Sequence, residues 1–300
     1  MSIRSVGSQS MIDELKFVVL KRPQDSHRDQ ATVDSQWQGL HYLHQPEYER
    51  VCREFDAFLA LVQASGAEIG FLPGQPATGL DSIYTHDPLV VSNRGVILCS
   101  MGKTARQEEP DAFAAYLQQT GVPIVGRIEP PGTLEGGDVC WLDERTVAVG
   151  QGYRTNAAGL RQLTALLGDD VDEVIPVPLP HWTGPDDCLH LLSFISPVDY
   201  RTAVVYSRMM PVPFRQLLLE RGWRLVEAPD EEYDSFACNV LALTPGDCVM
   251  IEGNPITQAR LEAAGVRVRT FPGQHLCIAG GGGPTCLTRP IVRGSVKDSL

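Results

Sequence analysis

Apolar and polar positions follow one pattern that recurs five times along the chain. Each occurrence has apolar residues at helical spacing, then a glycine, then a short apolar run, and it ends near a proline. The segments are LVQASGAEIGFLP (61–73), YLQQTGVPIVGRIEP (116–130), LTALLGDDVDEVIPVPL (163–179), LLLERGWRLVEAP (217–229) and ARLEAAGVRVRTFP (259–272). Glycine after a helix supplies the left-handed C-cap conformation, and proline stops the following strand. The pattern therefore predicts five helix–turn–strand segments.

Two further strand-like runs precede most of these helices. Examples are DPLVVSNRGVILCS, GDVCWLDERTVAVGQ and NVLALTPGDCVMIEG, in which turn residues separate two apolar runs. The repeating unit is therefore β-β-α-β and about fifty residues long, which indicates a repeated architecture. Five units predict a closed α/β ring with a central site, as one domain over residues 1–300 with residues 1–13 as a flexible N-terminus. Several unrelated α+β elements remain the alternative.

Composition restricts the partners of such a ring. Hydrophobic residues make up 43% of the chain and charged residues 21%, as in a soluble globular protein. A net charge of −12 without a basic cluster argues against nucleic acid. The N-terminus has no signal-peptide h-region, and no apolar run is long enough for a membrane helix. The eight cysteines show no metal-ligand spacing and indicate free thiols, so we expect a cytoplasmic protein.

Carboxylates stand in two unusual places. In DSIYTHDP, Asp81, His86 and Asp87 interrupt a strand-like segment, although Asp-Pro is also a common turn initiator. In TLEGGDVCWL, Glu135 and Asp138 flank two glycines just before an apolar strand. Buried carboxylates there need a cation or a protonated histidine as a partner, because an unpaired buried ion is costly. A simple turn is the alternative for both stretches.

A histidine and a cysteine complete a possible catalytic set. His190 lies inside the apolar run CLHLLSFI, where a satisfied core histidine is the alternative. Cys286 follows four consecutive glycines in AGGGGPTCLT, which we interpret as clearing the backbone so that a planar substrate carbon reaches the sulfur. Cysteine, histidine and carboxylate from different units form the nucleophile, base and orienting group that acyl or amidine transfer requires.

Eight motifs in order resemble one known family. The chain is similar to the guanidino-group-modifying (pentein) superfamily, and within it to the dimethylarginine dimethylaminohydrolases, over roughly residues 14–293. The motifs are LKFVVLKRP, DSIYTHDP, MGKTARQEE, LEGGDV, GQGYRTNAAG, CLHLLS, CNVLAL and GGGGPTCLT. The resemblance implies a five-bladed, pseudo-symmetric α/β propeller of ββαβ units, in agreement with the repeat.

The resemblance also implies a reaction. Cys286 would attack the guanidinium carbon, His190 would protonate the departing amine and then activate water, and Glu135 would orient that histidine. The product of a methylated arginine would be citrulline and an alkylamine, through a covalent thiouronium intermediate, without a metal or an organic cofactor. The only partner implied is a small guanidino substrate, and a homodimer is left open.

Substrate contacts follow from the same resemblance. Asp87 and Asp81 would hold the guanidinium nitrogens, because carboxylate–guanidinium pairing is charge-assisted and bidentate. Arg106 and Arg154 would contact the amino-acid end of the substrate, with an ion pair inside the fold as the alternative for each. His86 stands where these hydrolases commonly have a glutamate that helps to hold the substrate's amino group, so this end of the substrate remains open.

One departure from related enzymes bears on selectivity. Arginine deiminases and amidinotransferases typically have aspartate two residues after the catalytic histidine, and this chain has Leu192. An apolar group there would leave one substrate nitrogen without a carboxylate, which suits a methylated nitrogen. The competing hypotheses are an amidinotransferase, a hydrolase of another guanidine or amidine compound, and a non-catalytic five-bladed binding factor. The polar and aromatic segment 24–46 would be a lid over the site or a surface loop.

Overall fold

The computed structural model describes residues 6–294, which form five three-stranded sheets. In each sheet the middle strand pairs antiparallel with one neighbour and parallel with the other. The strands are β1 (Leu15–Leu20), β2 (Glu68–Phe71), β3 (Leu89–Val91), β4 (Val96–Leu98), β5 (Ile124–Arg127), β6 (Val139–Asp143), β7 (Thr146–Gln151), β8 (Glu173–Pro178), β9 (Ile195–Asp199), β10 (Thr202–Val205), β11 (Arg224–Glu227), β12 (Leu241–Thr244), β13 (Asp247–Ile251), β14 (Arg267–Phe271) and β15 (Arg289–Arg293).

Helices make the parallel connection in every sheet. The helices are α1 (Pro23–Ser26), α2 (Gln30–Gln36), α3 (Tyr48–Gln63), α4 (Glu109–Thr120), α5 (Ala157–Leu167), α6 (Val212–Glu220) and α7 (Pro255–Ala263). Helices α3 to α7 each join a middle strand to its parallel partner, because parallel strands need a crossover. The predicted ββαβ repeat and the five-bladed, pseudo-symmetric α/β propeller are confirmed, and each sheet is one blade.

The glycine between helix and third strand has a positive φ angle in all five blades. Its φ angle lies between 52° and 91° at Gly66, Gly121, Gly168, Gly222 and Gly265. At the first and last of these no other atom lies within 4 Å of an added Cβ, so the backbone conformation alone accounts for glycine there. The predicted left-handed C-cap is confirmed at Gly121, where φ is 80° and ψ is 10°, whereas at Gly168 ψ is −130° and only the positive φ is shared.

The first blade contains strands from both ends of the described chain. β15 pairs antiparallel with β1, and β2 pairs with the other edge of β1. Gly7 extends this blade, because its amide donates to the carbonyl of Ile291 (3.0 Å) and its carbonyl accepts from Arg293 N (2.8 Å). The flexibility predicted for residues 1–13 stays a prediction for residues 1–5, which lie outside the described residues, while Gly7 is fixed to the first blade.

Apolar side chains pack between the helices and the sheets and between adjacent blades. On α3, Val51, Phe55, Phe58 and Val62 share one buried face. The ring of Phe58 lies 4.9 Å from that of Phe271 in the fifth blade, so this helix joins two blades. Within residues 6–294, none of the helices combines the length and the apolar character that crossing a lipid bilayer requires.

The segment 24–46 contains α1's end and α2 and packs on the loops at one end of the ring. The amide of Leu43 donates to Ala279 O (2.8 Å), and Lys103 Nζ donates to Leu40 O (2.8 Å). Leu40, His41 and Leu43 face the large cavity described below. The segment therefore forms part of the rim of that cavity; its opening and closing as a lid stays a prediction.

Candidate active site

Five polar residues occupy equivalent places in the five blades. Asp87, Glu135, His190, Asn239 and Cys286 lie two to five residues ahead of β3, β6, β9, β12 and β15, the first strand of each ββαβ unit. Because the units are arranged with pseudo-fivefold symmetry, the loops that lead into these strands converge near the axis. Four of these five residues are sequence-predicted site residues, and their contacts are as follows.

Glu135 and His190 form a buried pair. Glu135 Oε2 lies 2.7 Å from His190 Nε2, and the carboxylate is 0% exposed. Its other oxygen accepts from the amides of Gly102 (2.9 Å) and Lys103 (3.2 Å). Burial would raise the pKa of Glu135, but the hydrogen bond and charge of His190 and the charge of Arg154 lower it to about 2. The carboxylate is therefore ionised and fixed, and it orients the imidazole.

The second imidazole nitrogen of His190 faces the other site groups. Nδ1 lies 3.9 Å from Cys188 Sγ and 4.0 Å from Asp87 Oδ1. Burial would lower the pKa of His190, but the Cys188 sulfur and the carboxylates of Asp87 and Asp138 raise it well above its usual value. Asp138 also accepts from the amide of Leu191 (3.0 Å), which fixes the turn after the histidine. His190 is thus a protonated group with one nitrogen available for proton transfer.

Asp87 is held by an arginine that also binds a second carboxylate. Arg106 Nη1 donates to Asp87 Oδ2 (2.6 Å), and its Nε and Nη2 donate to Glu109 at 2.8–3.1 Å. A further bond from Nη2 reaches the carbonyl of Tyr84 (3.0 Å). Asp87 Oδ1 accepts from the amide of Gly137 (3.1 Å). Arg106 also faces the cavity, so its predicted contact with a substrate carboxylate stays a prediction beside its observed contact with Asp87.

Cys286 is partly exposed, and its sulfur accepts a hydrogen bond. Asn239 Nδ2 donates to Cys286 Sγ at 3.1 Å. Burial and the neighbouring Asp87 and Cys188 raise the pKa of the Cys286 thiol to about 12, against the opposite effects of His190 and the Asn239 hydrogen bond. The resting group is therefore a neutral thiol that needs an additional positive charge nearby to ionise.

A cavity of about 540 Å³ lies in front of these groups. Each catalytic candidate contacts or adjoins a residue that faces it: Arg106 touches Asp87, Arg154 touches Glu135, and Cys188 approaches His190. Gly280 and Gly281, which also face the cavity, lie just ahead of Cys286. The walls near its mouth carry the side chains of Leu43, Trp182, Tyr233 and Phe236. The cavity is large enough for an amino-acid-sized substrate.

Two further charged groups on the cavity wall, Arg154 and Asp81, also have partners within the protein. Arg154 is 4% exposed; its Nη1 lies 3.4 Å from Glu135 Oε2 and its Nη2 donates to Asp187 O (3.2 Å). Asp81 lies 2.6 Å from Lys103 Nζ. Both wall groups are sequence-predicted site residues. The carboxylate of Asp81 already pairs with the ammonium group of Lys103. It suits binding of a charged group at the far end of a substrate as well as binding of the guanidinium.

His86 does not face this cavity. Its Nδ1 lies 2.9 Å from the carbonyl of Thr288, and its ring borders a separate small cavity with Trp141 and Arg289. Burial and the charge of Arg289 lower the pKa of His86 well below its usual value. The predicted substrate contact of His86 is therefore corrected to a structural role, because its side chain points away from that of the adjacent Asp87.

The four glycines before Cys286 make room for protein side chains. An added Cβ would lie 2.2 Å from the Tyr84 hydroxyl at Gly280, 2.5 Å from the Tyr84 ring at Gly282 and 2.6 Å from Asn239 Cγ at Gly283. Real Cβ contacts are never this short. The expectation that the glycines admit substrate to the sulfur is corrected at these three positions, where they allow Tyr84 and Asn239 to pack closely.

Leu192 lies in the hydrophobic core. It is 2% exposed and packs in the cluster around Phe194, Met209 and Val226, and only the following Ser193 faces the cavity. The explanation of selectivity through Leu192 is therefore wrong: the position after the His190 turn points its side chain inward, away from the substrate space.

Replacing Leu192 by aspartate should consequently destabilise the fold rather than change substrate preference. A carboxylate there would be buried without a partner, at a cost on the order of 3–5 kcal/mol in the free energy of unfolding. Denaturant unfolding measures this, with Leu192→Met as the control that conserves volume. A folded Leu192→Asp variant with a wild-type midpoint would contradict the core assignment.

Sequence reasoning missed Asn239 and Glu109. Asn239 is in the quoted motif CNVLAL, and its place ahead of the fifth blade's first strand is a signal that could have identified it. Glu109 is 3% exposed beside Arg106, and burial raises its pKa to about 7 against the opposing effect of that arginine. Nothing in its local sequence distinguishes it from the solvent-exposed carboxylates of a helix start.

One group of residues has the composition of a metal site. Ligand atoms of Asp87, Glu135 and His190 all lie within 4.8 Å of one another. Arg106 and Arg154 already neutralise the two carboxylates, and the pKa of His190 is raised, whereas a metal ligand must be neutral imidazole. The residues therefore fit a flat organic cation better than a metal ion, and the predicted absence of a metal stays a prediction.

Comparison with known proteins matches most of the chain to dimethylarginine-hydrolysing enzymes. A family profile described as N,N dimethylarginine dimethylhydrolase, eukaryotic, matches residues 26–293. The N(G),N(G)-dimethylarginine dimethylaminohydrolase of Pseudomonas aeruginosa is 26% identical over 253 residues, which is 84% of this chain and 91% of that protein.

Solved structures with the same fold have different activities. The N-terminal domain of the cyanobacterial arginine dihydrolase ArgZ aligns with a TM-score of 0.79 at 20% identity, over 94% of this chain and 99% of that one. The amidinotransferase SxtG of Microseira wollei aligns with a TM-score of 0.77 at 15% identity, over 98% and 99%. At these identities the alignments show the fold alone.

The family profile spans the ring and all five residues that lead into the first strands. Membership of an enzyme family removes the hypothesis of a non-catalytic binding factor. The chain belongs to the dimethylarginine dimethylaminohydrolase family of the guanidino-group-modifying (pentein) superfamily, and it is an amidine-hydrolysing enzyme.

Proposed function

We propose that this enzyme hydrolyses an Nω-methylated arginine, with dimethylarginine as the preferred class, to citrulline and an alkylamine. The observation that carries the proposal is the grouping of a buried Glu135–His190 pair and a fixed Asp87 carboxylate, which contact residues lining one cavity, with the Cys286 thiol, whose ionisation responds to the charges of Asp87 and His190. This set contains a nucleophile, a proton donor and a carboxylate for a planar cation, as hydrolysis of a guanidino group requires.

Asp87 is the proposed receptor for the guanidinium. Its carboxylate is fixed by Arg106 and by the amide of Gly137, so it is pre-oriented before substrate arrives. Burial would raise the pKa of Asp87, but the charges of Arg106 and His190 lower it, and it stays ionised over the physiological range. A guanidinium that donates to Asp87 would come to lie beside His190 Nδ1.

Substrate binding would then activate the nucleophile. The Cys286 thiol, with its pKa raised to about 12, gains a positive neighbour when the guanidinium binds, and a nearby cation favours thiolate. The thiol proton passes to solvent, and the thiolate attacks the guanidino carbon and forms a tetrahedral adduct. Ionisation is thereby coupled to the presence of the substrate, which keeps the thiolate fraction of the empty enzyme low.

His190 would move the protons in both half-reactions. Its protonated Nδ1 gives a proton to the substituted nitrogen, the carbon–nitrogen bond breaks, the alkylamine departs and an S-alkylthiouronium remains on Cys286. The neutral imidazole then accepts a proton from water, whose oxygen attacks the same carbon. The carbon–sulfur bond breaks with its electron pair on sulfur, and the hydroxyl proton of the adduct passes to that sulfur, so citrulline and the resting thiol form.

Arg154 is the proposed contact for the substrate carboxylate. Arg154→Lys should lower kcat/KM for methylated arginine by about tenfold to a hundredfold, mostly through KM, because lysine loses planar two-point pairing. The matching N-methylated agmatine lacks the carboxylate, so its kcat/KM should change by less than about threefold. Steady-state kinetics of both substrates with both enzymes measures the difference. An equal loss of kcat/KM for both substrates would indicate that Arg154 holds Glu135 instead of binding the substrate carboxylate.

A substrate panel tests the proposal. Citrulline and amine release are measured for arginine, monomethylarginine, both dimethylarginines and agmatine, with and without glycine as an amine acceptor. We expect citrulline and an alkylamine in equal amounts, with the highest kcat/KM for a methylated arginine. Ornithine and ammonia from arginine would indicate a dihydrolase, and an acceptor-dependent guanidino product would indicate an amidinotransferase.

A further inference from the structure

Asn239 is buried against the nucleophile in a fixed orientation. Its side chain is 4% exposed, and its Oδ1 accepts from the amide of Thr285 at 3.0 Å. A backbone N–H can only donate, so the amide oxygen must face Thr285 and the NH₂ group must face Cys286 Sγ, 3.1 Å away. The sulfur is therefore offered a donor, which is the arrangement that favours an anion on sulfur.

The surrounding contacts fix this orientation further. Thr285 Oγ1 donates to the carbonyl of Val240 at 3.0 Å, so two hydrogen bonds connect the residue before the nucleophile to the start of the fifth blade. Val240 N in turn donates to Ser196 Oγ (3.3 Å). A Cβ at Gly283 would lie 2.6 Å from Asn239 Cγ, so the last glycine of the run is required for the amide to sit here.

We propose that Asn239 is the positioning residue of the nucleophile: it holds the Cys286 side chain in one rotamer and donates to the sulfur when it becomes thiolate. The proposal rests on the proposed function only in taking Cys286 as the nucleophile. Sequence position supports it independently, since Asn239 is the fifth-blade counterpart of Asp87, Glu135 and His190.

The groups around the Cys286 sulfur show how the Asn239 amide affects its ionisation. Asp87 and Cys188 oppose ionisation of Cys286, whereas the charge of His190 and the Asn239 amide favour it. The amide is the neutral member of the favourable pair, so it stabilises the thiolate without repelling an incoming cation. A lysine or arginine in its place would compete with the guanidinium for Asp87.

Three variants of Asn239 separate positioning of the Cys286 side chain from hydrogen-bond donation to its sulfur. Asn239→Asp keeps an acceptor for the Thr285 amide but places a second acceptor against the sulfur, while Asn239→Leu and Asn239→Ala remove the donor without adding charge. The matched control is Asn93→Asp, which makes the same charge change at an exposed turn between β3 and β4. Thermal unfolding checks that each variant is folded.

The readout is alkylation of Cys286 by iodoacetamide between pH 7 and pH 10, followed by peptide mapping. All three Asn239 variants should react about tenfold more slowly at each pH, as expected when the thiol pKa rises by about one unit. Cys52, which is partly exposed on α3, serves as the internal reference and should react at an unchanged rate. The control Asn93→Asp should match wild type within about twofold.

Activity gives an independent measurement. With methylated arginine, kcat should fall at least about tenfold in the Asn239 variants and KM should change less than about threefold, because the amide contacts the sulfur and not the receptor for the guanidinium. Wild-type alkylation of Asn239→Asp would overturn the proposal. A slow Asn239→Asp with normal neutral variants would also overturn it, since charge repulsion would then be the cause. Alkylation needs no substrate, so failure of the proposed substrate class leaves this test intact.

Discussion

Replacing Cys286 by serine should lower kcat for guanidine hydrolysis by on the order of a thousandfold or more. A serine hydroxyl is far harder to ionise than a thiol, so the positive charge of a bound guanidinium is too weak to produce an alkoxide. The smaller oxygen also leaves the Asn239 amide with a longer contact. Without an anion on this side chain no covalent adduct forms, and neither half-reaction proceeds.

The measurement is citrulline and amine release under single-turnover and steady-state conditions. Asp87, Glu135 and His190 are unchanged in this variant, so calorimetry should still detect substrate binding with a Kd near the wild-type value. Cys52→Ser, at a partly exposed thiol on α3, is the control and should retain full activity. Release of citrulline by Cys286→Ser at the wild-type rate would remove the nucleophile from the mechanism.

Replacing His190 by glycine should lower kcat for methylated arginine by about a hundredfold to ten-thousandfold. Two proton transfers depend on this imidazole, and an amine leaves readily only after protonation. The neighbouring carboxylates keep the pKa of His190 above its usual value, so the wild-type histidine still carries its proton at neutral pH.

A substrate whose leaving group needs no proton distinguishes proton donation from a structural role. S-methyl-L-thiocitrulline expels methanethiolate, which is stable without prior protonation. His190→Gly should therefore release one equivalent of methanethiol per enzyme in a burst and then stall, because water is not activated for the second step. Mass spectrometry should find the covalent adduct on Cys286. Continuous turnover would show that the base lies elsewhere, and absence of the burst would indicate a damaged site.

The sequence was sufficient to predict the five-bladed architecture, because the same local residue requirements recur in every blade. Gly66, Gly121 and their counterparts need a positive φ angle, and that requirement marks every helix end regardless of the rest of the fold. Glu135 and His190 were recognisable for a related reason: each is a charged or titratable residue at the entry to an apolar strand, where only a partner from another blade makes it tolerable.

The direction in which side chains near the axis point could not be predicted from the sequence. His86 and Asp87 are adjacent, yet one faces Thr288 and the other faces His190, since the chain turns between them. Leu192 lies in a 3₁₀ turn, where neither strand nor helix periodicity predicts which side chain points inward. The glycine run depended on Tyr84, a residue far away along the chain. Such packing is a property of the assembled ring.

The pairing of β15 with β1 has a consequence for biosynthesis. Among the described strands, β15 is the last to leave the ribosome, and Cys286 lies immediately ahead of it. Until then the edge of β1 that β15 will occupy has no partner, and such an edge is open to wrong associations. A nascent chain can therefore assemble its acid–base pair and its cation receptor while it still lacks a reactive sulfur, so catalytic competence and closure of the ring arrive together only once β15 has been made.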